Sequence, residues 1–299
     1  MDRENEVLRL HLALLFVQAT FGAFHVVGKF VLRDVEPLAV ASVRVLVSTP
    51  LLLFLALRQE RRLPSRHDLA GLALLGFLGV FANQILYITG LRMTSATNAA
   101  ILMPSIPVFV ALLLLLSGME RPTPLRWTGI ALACAGALSL LDWRAADFGR
   151  AALLGNLLLL VNCLAYALYL VLQRGLLERL RPLTVVAWAF LFGGAGVVAV
   201  GAPALARTSP AALAPGVLLG LLFIAVVPTG VNYALNAWAL TRSSPALVAA
   251  YTTLQPAAAA VLAVTFLGER FGWREGAGFA LITAGLVLVS RKEKVKSKK

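Results

Sequence analysis

Residues 83–121 read NQILYITGLRMTSATNAAILMPSIPVFVALLLLLSGMER, and residues 232–270 read NYALNAWALTRSSPALVAAYTTLQPAAAAVLAVTFLGER. Shifted by 149 positions, Asn232 falls on Asn83, Leu235 on Leu86, Ser244 on Ser95, Pro256 on Pro107, Glu269 on Glu120 and Arg270 on Arg121. The register continues through Gly129 with Gly278 and Gly136 with Gly285. Shared hydrophobicity would scatter such matches; an ordered series of Asn, Ser, Pro and Glu-Arg points to two copies of one unit. Upstream the offset is 145, which pairs Lys29 with Arg174 and Pro37 with Pro182. The difference of four residues falls between the second and third apolar runs of each copy, where loops absorb length changes.

The solvent for these units is lipid. Hydrophobic residues make up 60% of the 299 and charged ones only 14%, with a mean hydropathy of +0.84, whereas a soluble domain carries about 25% charged residues. The apolar runs are each about 20 residues, enough to cross a hydrocarbon core of roughly 30 Å as helix. Runs such as Leu112 to Leu116 lack the alternation a membrane barrel strand needs. A cleaved leader on a soluble protein is excluded for the first run, because the rest of the chain is equally apolar. Cys134 and Cys163 both fall inside runs and read as packing residues.

Spans are predicted near 10–32, 37–57, 68–90, 94–117 and 125–141, then 149–172, 182–202, 212–238, 243–267 and 272–290. The expected fold is an all-α integral membrane protein of ten transmembrane helices in two five-helix repeats, 1–145 and 146–290, with a basic cytoplasmic tail at 291–299. Five is odd, so the second repeat enters the membrane inverted, as in many transporters. Ten spans put both termini on one side. Of the 27 Lys and Arg, 18 lie on that side and 7 opposite, with Lys29 and Arg44 inside spans. The bias places both termini in the cytoplasm, and it explains the net charge of +13 without nucleic acid.

Polar side chains inside the spans mark a path. Asn83 and Tyr87 share a helix face at i, i+4, and their repeat partners Asn232 and Asn236 do the same. Asn162, Tyr166 and Tyr169 stand at i, i+4 and i+7 in the sixth span; Phe21 and Phe24 take the equivalent places of the two tyrosines in the first. Asn98, Tyr251 and Gln255 complete the cavity candidates, with Thr252 beside them. Each could instead bond a neighbouring helix, which is worth only about 0.6 kcal/mol on average in membrane bundles; as a set they favour a cavity. Ser95 and Ser244 read as helix N-caps, and Gly129, Gly136, Gly278 and Gly285 as close-packing positions.

His25, Lys29 and Arg44 form a basic layer near one membrane face, suited to an anionic group or to interfacial snorkelling. All 14 carboxylates lie in loops, at termini or at span ends, which leaves proton coupling through an embedded acid without a carrier. A carbonyl filter such as TVGYG is missing, and so are HExxH, GxSxG and the Walker loop, so neither a channel nor an enzyme is expected.

The closing segment Leu267 to Ser290, LGERFGWREGAGFALITAGLVLVS, resembles the signature of the EamA-type branch of the drug/metabolite transporter superfamily, with a counterpart at Met119 to Leu140. The segment ASVRVLVSTPLLL resembles that family's Arg-containing second helix, with Val45 where an aromatic residue is usual. The resemblance, which extends to exporters of the YddG type, implies a ten-helix exporter of small metabolites, amino acids foremost, by alternating access around a cavity lined by helices one, three, four, six, eight and nine. It implies a bacterial inner membrane, lipid and a small-molecule substrate as partners, no cofactor or metal, and a monomer or homodimer. Another metabolite or drug-like substrate, or a non-transporting scaffold, is the alternative.

Overall fold

Apolar segments in a bilayer have no water to satisfy their backbone, so each must close its hydrogen bonds internally as helix. The computed structural model describes residues 2–60, 63–94, 102–120, 123–139, 149–209, 213–258, 261 and 273–290, and among these there is no strand. The described helices of the first half are α1 (Asp2–Val31), α2 (Pro37–Gln59), α3 (Arg66–Gly76), α4 (Asn83–Met93), α5 (Ser105–Leu116) and α6 (Pro124–Ser139). Those of the second are α7 (Arg150–Leu177), α8 (Pro182–Arg207), α9 (Pro215–Ile224), α10 (Asn232–Leu240), α11 (Pro245–Tyr251) and α12 (Trp273–Ser290). Among the described residues six stretches are long and apolar enough to cross a membrane: Asn5–Phe24, Pro37–Gln59, Arg66–Met93, Ala152–Leu177, Pro182–Arg207 and Pro215–Leu240. The chain is an all-α membrane protein. Leu8, Leu12, Leu15 and Phe16 are among the large apolar side chains left exposed, as lipid contact permits.

Local chemistry sets the helix ends. Pro37 and Pro182 open α2 and α8 at first-turn positions, where a missing N–H costs nothing. The Ser244 hydroxyl caps α11 by accepting from Leu247 N at 3.3 Å, with Pro245 following in the first turn. The matching Ser95 lies outside the described residues.

Two spans contain a feature that hydropathy does not signal. Between α3 and α4 the chain runs as π-helix over Phe77–Ala82, and between α9 and α10 over Ala225–Val231. Shifted by 149 positions the two segments coincide almost end to end, each leading directly into an asparagine. A wider turn leaves carbonyls seeking donors, and side chains from the turn itself and from other helices supply them. Tyr233 Oη donates to Gly79 O at 3.0 Å, Thr229 Oγ1 to Ile224 O at 2.7 Å and Ser48 Oγ to Ala225 O at 2.6 Å.

With no hydrophobic drive between helices in lipid, close backbone approach holds the bundle. The helices α6 and α12 meet through glycines: a Cβ on Gly129 would stand 2.8 Å from Gly285 O, and one on Gly136 2.7 Å from Gly278 O. The 149-residue shift turns each of these contacts into the other. Helix α2 lies along α8. Gly193 abuts Gly76, and the equivalent positions in the other half are Ser48 and Ala225, which also touch.

Candidate functional site

A cavity enclosing about 110 Å³ lies where α1, α2, α4, α5, α7, α10 and the 252–255 turn converge. Its aromatic wall comes from Phe21 and Phe24 of α1, Tyr166 of α7 and Tyr233 of α10. Asn83, Gln84, Tyr87, Asn162, Thr252 and Gln255 form the polar wall, Ile88, Met103 and Ile106 the aliphatic one, and Arg44 supplies the charge. Six of these elements belong to the spans expected to line a path; α2 is the addition, brought in by Arg44.

The polar wall is held by bonds between helices. Asn83 Nδ2 donates to Asn162 Oδ1 at 3.0 Å, joining α4 to α7. Gln255 Nε2 donates to Gln18 Oε1 at 3.0 Å, tying the turn to α1. The Arg44 guanidinium lies 4.8 Å above the Phe24 ring and donates through Nε to Thr229 Oγ1 at 2.9 Å. Gln84 is only 4% exposed, yet both atoms of its amide lack a partner among the described residues. Such a group in hydrocarbon calls for water or a ligand.

Of the residues singled out by sequence, Arg44, Asn83, Tyr87, Asn162, Tyr166 and Gln255 converge on this wall. Four others stand behind it. Tyr169 is buried and stacks on Tyr166 with ring centres 5.9 Å apart, in space left by Gly79, where a Cβ would collide with its ring. Asn232 is fully buried; it accepts from Thr20 Oγ1 at 2.9 Å and donates to Val17 O at 3.2 Å. Asn236 donates to Tyr166 Oη at 3.4 Å, and Tyr251 Oη bonds His11 Nδ1. Asn98 and the side chains of His25 and Lys29 lie outside the described residues.

Sequence reasoning passed over Gln84, Tyr233, Gln18, Thr20, Thr229 and His11. Gln18 and Gln84 were legible as lone amides in apolar runs; Tyr233 and Thr229 acquire their roles only through the π-helical turns. The cysteines behave as read. Cys134 and Cys163 are unpaired and donate to the Pro104 and Leu102 carbonyls at the start of α5.

The two ends of the bundle differ. A second hollow, lined by Leu38, Thr89, Arg92 and Met93, shares Ile88 with the cavity and lies at the ends of α2 and α4. At the opposite end Glu120 binds Arg126 at 2.8 Å and Arg174 at 2.7 Å, and Arg179 binds Asp68 at 3.1 Å. Among the described residues no cluster of His, Cys, Asp or Glu could hold a metal ion.

The profile of the EamA-like transporter family matches residues 8–141 and again 153–291. An uncharacterised transporter of Archaeoglobus fulgidus is 26% identical over 95% of this chain and 98% of its own. The protein Walls Are Thin 1 of Arabidopsis thaliana is 28% identical over 95% of this chain and 83% of its own. A solved crystal structure superimposes with a TM-score of 0.79 at 16% identity, covering 95% of this chain and 96% of that one.

Proposed function

We propose that this chain, which belongs to the EamA-like transporter family, exports small metabolites, amino acids foremost, by alternating access around the cavity bounded by Arg44, Asn83 and Tyr166. The observation that carries this reading is one cavity lined by polar and aromatic side chains within the apolar helices, contributed by both matched segments of the chain. Polar groups in hydrocarbon are retained where they bind a solute or water. In this reading residues 1–145 and 146–290 are inverted repeats, the spans number ten, and both termini face the cytoplasm of a bacterial inner membrane.

The paired features of the two halves support it. The π-helical segments, the Gly76–Gly193 and Ser48–Ala225 contacts, and the reciprocal glycine pairs of α6 and α12 all obey the same offsets. Halves built on one plan can exchange conformations and so expose one site alternately to each side. The hollow at Arg92 and the ion cluster at Glu120 fit an arrangement open on one side and tied shut on the other. A cavity closed by tyrosine and phenylalanine suits apolar or aromatic side chains.

The test is efflux and uptake of labelled amino acids in proteoliposomes of the purified protein. Flux of at least one, abolished by filling the cavity with Ile106→Trp, is the expected result. Folded protein that moves none of the twenty overturns the amino-acid assignment. Movement of another metabolite class would then identify the alternative.

A further inference from the structure

We infer that the cavity recognises its solute through a carboxylate held between Arg44 and Gln84, and that a substrate ammonium group is dispensable. The inference rests on the transport reading above and specifies the chemistry of that same site.

The first observation concerns Arg44. Its Nε is occupied by Thr229 and its face by Phe24, which fixes the plane of the guanidinium. Neither contact neutralises it, and among the described residues no carboxylate lines the cavity. The ion pairs of the described residues, at Glu120, Asp68 and Glu36, involve other arginines. A fixed guanidinium whose terminal nitrogens have no partner among the described residues is matched in geometry by a carboxylate, and a half-buried cation without an acid is otherwise costly.

The second observation is independent. Gln84 lines the same cavity with both amide atoms buried and, among the described residues, unpartnered. Its N–H donors can complete a carboxylate's hydrogen bonds. The third is the exit: Arg92 lines the adjoining hollow, which shares Ile88 with the cavity, so a carboxylate leaving on that side passes a second cation.

An ammonium meets the reverse situation. The available acceptors are neutral, namely Tyr87, Thr252 and side-chain amides. They offset desolvation of a cation less well than a carboxylate would, and Arg44 repels it. The body of the solute then packs on Phe21, Phe24, Tyr166 and Met103. The ligand class is an organic monocarboxylate with an apolar or aromatic body, amino acids being admitted through their carboxylate.

The experiment compares three solutes of one carbon skeleton on full-length protein in nanodiscs: 3-phenylpropionate, phenylalanine and phenethylamine. Binding of 3-phenylpropionate at least as tight as phenylalanine, with phenethylamine weaker by about tenfold or more, is the expected order. Arg44→Gln should weaken both acids by about 10- to 100-fold and leave phenethylamine unchanged or improved. Arg44→Lys, which keeps the charge, should recover part of the loss and guards against a folding defect. Phenethylamine equal to or tighter than the acids overturns the inference, as does phenylalanine binding without 3-phenylpropionate. If none of the three binds while proteoliposomes still transport another solute, the inference falls and the transport reading stands; absence of all flux removes the reading itself.

Discussion

Asn83 and Asn232 occupy the same place in their repeats, and the structure gives them different work. Asn83 faces the cavity from α4, paired with Asn162, whereas Asn232 is sealed behind the wall between Thr20 and Val17. The opposite consequences can be measured. Asn83→Leu should raise the transport KM roughly tenfold or less while changing thermal stability little. Asn232→Leu should lower unfolding stability by about 1 kcal/mol, since it removes two bonds from α10 to α1, at Thr20 Oγ1 and Val17 O, with a smaller effect on KM. Thermal unfolding in detergent alongside flux distinguishes the two; identical profiles would place both residues in one environment. The amide type and spacing were legible along the chain. Which of the pair meets the solute depends on neighbours distant in sequence, and no local pattern encodes those.

At the scale of elements, the helices followed from hydropathy and their ends from proline and serine, but their irregularities did not. The π-helical turns of Phe77–Ala82 and Ala225–Val231 depend on donors such as Tyr233 and Ser48 reaching across from other helices. The glycine contacts, by contrast, were readable because small residues recurred in register. They lead to a paired expectation. Gly285→Val on α12 puts a side chain where even a Cβ stands 2.5 Å from Ala133 N and Gly129 O, and should cost about 1–3 kcal/mol. Gly175→Ala on α7 meets nothing within 4 Å and should stabilise by about 0.5–1 kcal/mol through lost backbone entropy. Melting curves of the two variants should shift in opposite directions. A neutral Gly285→Val would mean that α6 and α12 can separate freely.

For the whole molecule, the asymmetry between the two ends is the property to test. Glu120 bridges Arg126 and Arg174 and thereby joins the segment before α6 to the end of α7. Glu120→Gln should raise labelling of a cavity cysteine at position 255 from that side about two- to fivefold, the yield expected from losing a partly exposed ion pair. Unchanged labelling would show that helix packing alone closes that end. Orientation is a separate matter, argued from the distribution of Lys and Arg. A green fluorescent protein fused at the C-terminus should fluoresce and an alkaline phosphatase there should be inactive; the reverse pattern would invert the topology.

By itself the sequence determined the solvent, the helical class, the two related segments and the polar character of the spans, because these depend on composition and on spacing within a helix. It also supplied most residues of the cavity wall, Gln84 being the amide passed over, since a polar side chain in an apolar run stands out. Only the tertiary structure separated Asn83 and Tyr166 from Asn232 and Tyr169, brought Arg44 and Gln84 to one cavity, and showed Arg44 without an acid among the described residues. The reason is physical: in lipid a polar group is satisfied by whichever helix lies opposite, and that partner is chosen by close backbone packing between distant segments rather than by the residue's own neighbours in the chain.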